Sequence, residues 1–79
     1  MYLKIREGGE KMSVKTKLAV YRAMINKNQT EFSEELGMSI QTYNQKENGK
    51  RSFTVDEMKQ IKNLFNRYSL NVTIEDIFF

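Results

Sequence analysis

The stretch NQTEFSEELGMSIQTYNQKENG, residues 28–49, decides the fold. Asn28 is followed three residues later by Glu31, the capping-box pattern in which an Asn side chain accepts from a free backbone N–H at a helix start. A helix therefore runs from there to Leu36. Gly37 then supplies the left-handed conformation that a sharp turn after a helix requires. Ser39 is placed to cap a further helix over about residues 40–47, which the Asn48-Gly49 pair stops. That helix is unusual in composition: residues 39–46 are mostly amides and hydroxyls, with few of the apolar side chains that hold a helix against a core.

Helical patterns continue on both sides. Upstream, Val14, Leu18, Tyr21 and Ile25 recur at spacings of three and four and predict an amphipathic helix over roughly residues 15–26. Downstream, Thr54 with Glu57 forms a second capping box, and Met58, Ile61, Leu64 and Phe65 draw an apolar stripe along another helix. A polar loop, Asn66 to Asn71, follows. Thr73 caps a last short turn, Ile74 to Phe78, an apolar, β-branched segment that also fits a strand. Pro is absent and Gly occurs only at 8, 9, 37 and 49, so glycines and caps supply the punctuation.

Seventy-nine residues support one domain. Hydrophobic residues at 39% and charged residues at 29% are ordinary globular values and argue against wholesale disorder. The chain has no Cys and no His, which excludes disulfides, Cys- or His-based metal sites, Ser-His-Asp triads and Cys nucleophiles. No cofactor and no metal is expected. Apolar runs are only a few residues long, so neither a signal-peptide core nor a membrane span is read, and a cytoplasmic location is expected. The net charge is +3; residues 1–27 hold seven Lys or Arg against two Glu, and residues 28–51 hold four Glu against three Lys or Arg. That balance fits nucleic acid, an anionic surface or neither, and decides little.

The helix, glycine turn and helix between Asn28 and Gly49 have the geometry of a helix-turn-helix, whose second helix enters the DNA major groove. This accounts for the polar helix. Base edges offer donors and acceptors, and a helix that reads them presents Gln, Asn, Ser and Thr along one face. On Arg22, on Gln29 seven residues later, on EELGMS (34–39) and on ENGKR (47–51), the chain resembles the Cro/C1-type, or XRE-like, repressor family over roughly residues 15–78.

The resemblance implies an all-α, five-helix bundle of the lambda-repressor-like helix-turn-helix type, occupying residues 13–79 and binding operator DNA as a two-fold homodimer. It implies that Gln29 meets the phosphate backbone, and that Ile40, Gln41, Thr42, Asn44 and Gln45 take base-reading positions, with Ser39 among the DNA-facing residues at the helix start. Asn48, Lys50 and Arg51 fall in the loop that grips phosphates. Arg22 and Glu47 match positions that pair with each other. The residue types agree: Gln41 and Gln45, four apart, share a helix face, and Gln or Asn can bond adenine N6 and N7 together. A·T-containing half-sites are expected, with Ile40 against a thymine methyl group.

Three residues depart from the family pattern. Lys27 stands where an apolar residue usually precedes the second helix, and Lys46 where an aliphatic side chain usually turns inward; both stems can snorkel to water. Tyr43 takes the other inward slot, and its hydroxyl needs a partner if buried.

Glu31, Glu34 and Glu35, with the pairs Asp56/Glu57 and Glu75/Asp76, invite a catalytic reading that the chemistry does not support. Carboxylates are favourable in first helical turns, sequence neighbours diverge around a helix, and a bundle this small has no cleft to exclude water. No enzyme is expected. The Glu34/Glu35 surface fits an RNA polymerase contact or a solvated face. Phe78 and Phe79, with Ile74 and Ile77, fit core packing or a dimer contact. Gly8-Gly9-Glu10 can be encoded by a purine-rich stretch resembling a ribosome-binding site ahead of Met12. Met12 is therefore the expected native start and residues 1–11 an upstream extension; the rival is a strand from Tyr2 to Arg6 or a basic arm on DNA. The expected function is a sequence-specific transcriptional regulator, a repressor, of phage or mobile-element type. The alternative is an antitoxin-like interaction module that binds a toxin. The mostly uncharged reading surface disfavours a non-specific architectural binder.

Overall fold

The computed structural model describes residues 12–79, so the readings of residues 1–11 lie outside the described residues. Five helices follow in order: α1 (Val14–Met24), α2 (Gln29–Leu36), α3 (Ile40–Glu47), α4 (Val55–Arg67) and α5 (Ile74–Phe78). The architecture is all-α, with no strand among the described residues.

Each helix begins on a side-chain cap. Ser13 accepts from Thr16 N–H and Ser39 from Thr42 N–H. Asn28/Glu31, Thr54/Glu57 and Thr73/Asp76 form complete capping boxes. Such caps contribute about 1 kcal/mol each. The third box settles the last segment as helix. It starts the turn at Ile74, and α5 buries Ile77 and Phe78.

Helix ends depart from expectation where no glycine marks them. α1 stops at Met24 instead of 26 because Asn26 takes the left-handed conformation, φ 60°, and the N–H groups of Asn26 and Lys27 turn back to the carbonyls of Ala23 and Arg22. α4 runs on to Arg67, so Asn66 is helical and not part of the loop. Its side chain donates to the Val72 carbonyl (2.9 Å) and accepts from Val72 N–H (2.7 Å), fastening the loop between α4 and α5. After α2, Gly37 sits at φ 75°, and Met38 N–H reaches back to the Ser33 carbonyl. This is the closure that turns α3 away from α2.

The core joins all five helices through touching aromatic rings. Tyr21 of α1 lies 5.5 Å from Phe65 of α4, which stacks at 5.0 Å on Phe32 of α2. Phe32 meets Tyr43 of α3 at 5.6 Å; Tyr43 meets Phe53, and Phe53 meets Phe78 of α5. Leu18, Ile61, Leu64, Val72 and Ile77 fill in around the rings. Burial of apolar area at about 25 cal/mol per Å² makes this cluster the main source of stability. Of the two terminal phenylalanines, Phe78 belongs to the core, and Phe79 is exposed.

Candidate nucleic-acid interface

Helix α3 turns Tyr43, Lys46 and Glu47 inward, and all three are buried. Ile40 and Gln41 are exposed, and Asn44 and Gln45 are partly exposed. Positions 40, 41, 44, 45 and 48 fall on one side of a 3.6-residue helix. Gln41 and Gln45 make no side-chain hydrogen bond among the described residues, so both amides remain free. Ser39 and Thr42 open the helix, where the Ser39 hydroxyl is spent as the cap.

The buried side of α3 is held by two ion pairs of opposite sense. Arg22 of α1 grips Glu47 with two of its three guanidinium nitrogens, Nη2 donating to Oε2 at 2.9 Å and Nε to Oε1 at 3.2 Å. The two side chains are only 11% and 2% exposed. Lys46, next in sequence, points to α4: its Nζ lies 2.6 and 2.7 Å from the two Glu57 oxygens. Lys46 therefore does not snorkel to water; it is 8% exposed and neutralised inside the protein. Burial pushes the Glu57 carboxyl up, but Lys46 and the Thr54 N–H outweigh it and hold the group below the ordinary carboxylate range.

Lys27 has a different fate. It pairs with Glu35 at 3.0 Å and lies 5.4 Å from the centre of the Tyr68 ring, while Tyr68 donates its hydroxyl to the same carboxylate. Hydrogen bonds from Lys27 and then Tyr68 keep the Glu35 carboxyl below its usual range. Glu35 is thus engaged within the bundle. The Tyr43 hydroxyl is buried with no hydrogen-bond partner among the described residues, so the partner that burial calls for is not met there. Burial first, and the nearby Glu47 carboxylate second, push its ionisation far above the tyrosine range.

The start of α2 and the last turn of α3 meet at the open edge of this arrangement. Gln29, at the first position of α2, donates Nε2–H to Glu47 Oε2 at 2.8 Å. Asn44 donates Nδ2–H to Gln29 Oε1 at 2.9 Å, and Asn48 donates to Asn44 Oδ1 at 3.0 Å. Beyond α3 the chain curls back: the N–H groups of Lys50 and Arg51 both bond the Gln45 carbonyl, at 2.8 and 3.3 Å. Lys50 and Arg51 are exposed there.

Of the residues that the sequence singled out, Arg22, Gln29, Asn44, Glu47 and Asn48 are therefore joined by hydrogen bonds, and Lys50 and Arg51 are tied to Gln45 through the backbone. The Lys46–Glu57 pair and the chain of amides were not foreseen. Glu57 reads as a capping residue and nothing more until α3 is packed against α4. The amide chain depends on side-chain directions at two helix ends.

A glycine-turned pair of helices, with the second offering free amides outward and anchored inward by ion pairs, is the architecture of a DNA-binding bundle. Comparison with known families agrees: a family model described as helix-turn-helix matches residues 18–73, more than half of the chain. The chain belongs to this helix-turn-helix family of Cro/C1 type and is a DNA-binding regulator. No curated protein and no solved structure matches it. Among the described residues no helix is long and apolar enough to cross a membrane.

Proposed function

We propose that this protein is a sequence-specific transcriptional repressor that reads an operator with α3. The observation that carries the reading is the free pair Gln41 and Gln45 on one helix face beside the exposed Ile40. Two uncommitted amides four residues apart suit adenine N6 and N7 edges, and Ile40 suits a thymine methyl group. Lys50 and Arg51, exposed just past the helix, suit the flanking phosphates, and Ser39 and Thr42 lie at the groove-facing start. Repression follows from occupancy, because a bundle seated in the groove excludes polymerase from the same duplex. Two copies on a two-fold site, about one helical turn apart, would add their contacts.

Selection from a random duplex library tests this, with Gln41 and Gln45 both changed to Ala as the control. An enriched inverted repeat rich in A·T, lost by the double variant, is expected. A folded protein that enriches nothing would overturn operator reading and favour an antitoxin-like interaction module.

A further inference from the structure

The amides at the edge of the interface are not free to turn over. A carboxylate accepts hydrogen bonds and cannot donate them. Glu47 therefore requires the NH2 end of Gln29, as the 2.8 Å contact has it. That leaves the Gln29 carbonyl facing Asn44, which must meet it with its own NH2 end at 2.9 Å. The Asn44 carbonyl then faces Asn48 and accepts from it. One buried charge thus sets the sense of three successive amides. Arg22 in turn fixes the charge by holding both Glu47 oxygens.

We infer that Glu47 and Gln29 are specificity-positioning residues that make Asn44 meet the duplex as a hydrogen-bond donor. The inference rests on the reading of α3 as the base-contacting helix. Asn44 lies between Gln41 and Gln45 on the partly open face, but its state differs from theirs. Adenine is read when an amide offers a carbonyl to N6 and an N–H to N7 together. The Asn44 carbonyl is already engaged by Asn48 and cannot exchange places with the NH2 group while Gln29 holds it. One N–H remains for the groove. It suits an edge made only of acceptors, such as guanine N7 and O6 or thymine O4. The three amides of α3 therefore divide: Gln41 and Gln45 suit adenine, and Asn44 favours an acceptor-only edge over it.

The test is selection from random duplexes with wild-type protein and with Asn44→Ala, Gln29→Ala and Asn48→Ala. The base under Asn44 is the position whose preference Asn44→Ala abolishes. Guanine or thymine is expected there in wild type over adenine or cytosine. Gln29→Ala leaves the Arg22–Glu47 pair in place but lets Asn44 turn over, and Asn48→Ala, at an exposed site, frees its carbonyl. Each should shift the ratio toward adenine by roughly tenfold while preferences under Gln41 and Gln45 stay unchanged. A wild-type preference for adenine at that position, a ratio unmoved in both variants, or an Asn44→Ala loss equal for every base would overturn the inference. Failure of wild type to enrich any sequence would instead remove the operator reading beneath it.

Discussion

The two faces of α3 are both polar, and they differ in whether their polar groups are already bonded. On the inner face Lys46 and Glu47 are buried, and each is paired with a charge from another helix. On the outer face Gln41 and Gln45 carry amides bonded to nothing among the described residues. The inner charges anchor the helix to α1 and α4. Polar content alone does not separate scaffold from reading surface; satisfaction of the hydrogen bonds does.

The harshest way to break the contrast is to unpair the inner face. Glu47→Gln leaves the Arg22 guanidinium in a nearly closed site without a counter-charge, and losing one partner of a buried pair costs about 3 kcal/mol or more. Thermal unfolding should come roughly 15 °C earlier. A melting point within the range of exposed-site changes would show that the inner pair does not hold α3.

A smaller change sharpens the comparison from the opposite direction, because among the described residues the inner face has a group left unbonded. Tyr43→Phe removes a buried hydroxyl that lacks a partner among the described residues, and should stabilise the protein by about 1 kcal/mol, as denaturant unfolding would record. A loss of similar size would mean that the hydroxyl is bonded after all.

Acid supplies the mildest probe. Glu57 and Glu35 both have depressed carboxyl ionisation, so each contributes stability that is present above the ordinary carboxylate range and lost as pH falls through its lower folded value. Lys27, raised by its contacts with Glu35 and Tyr68, acts at the alkaline end, where its contribution fades as pH rises through the raised value. Unfolding free energy should stay level from pH 7 down to the ordinary carboxylate range, about 4, and decline below it. A decline complete above pH 5 would contradict these pairings.

The sequence made the helix starts plain because caps are local. Asn28 with Glu31, Ser39, Thr54 with Glu57 and Thr73 are each recognisable within four residues, and each caps the helix expected of it. Helix ends were less plain, since Asn26, Ser69 and Asn71 reverse the chain with positive φ where no glycine signals it. The site divides in the same way. That Gln41 and Gln45 share a face follows from spacing alone, whereas Lys46 finding Glu57 depends on how α3 crosses α4. Lys27 reads as a misplaced charge until Glu35 and Tyr68 are seen beside it.

Gln45 would have a place in both halves of the proposed contact with DNA. Its side chain lies on the reading face, and its carbonyl accepts from the N–H groups of Lys50 and Arg51. On the proposed reading, the backbone that carries the base-testing amide is therefore tied directly to the backbone that carries the phosphate-holding cations. On that reading, one-dimensional search along the duplex would carry the two groups together. Target recognition is then expected to appear as a long dwell at the correct register, with little change in the rate of first encounter.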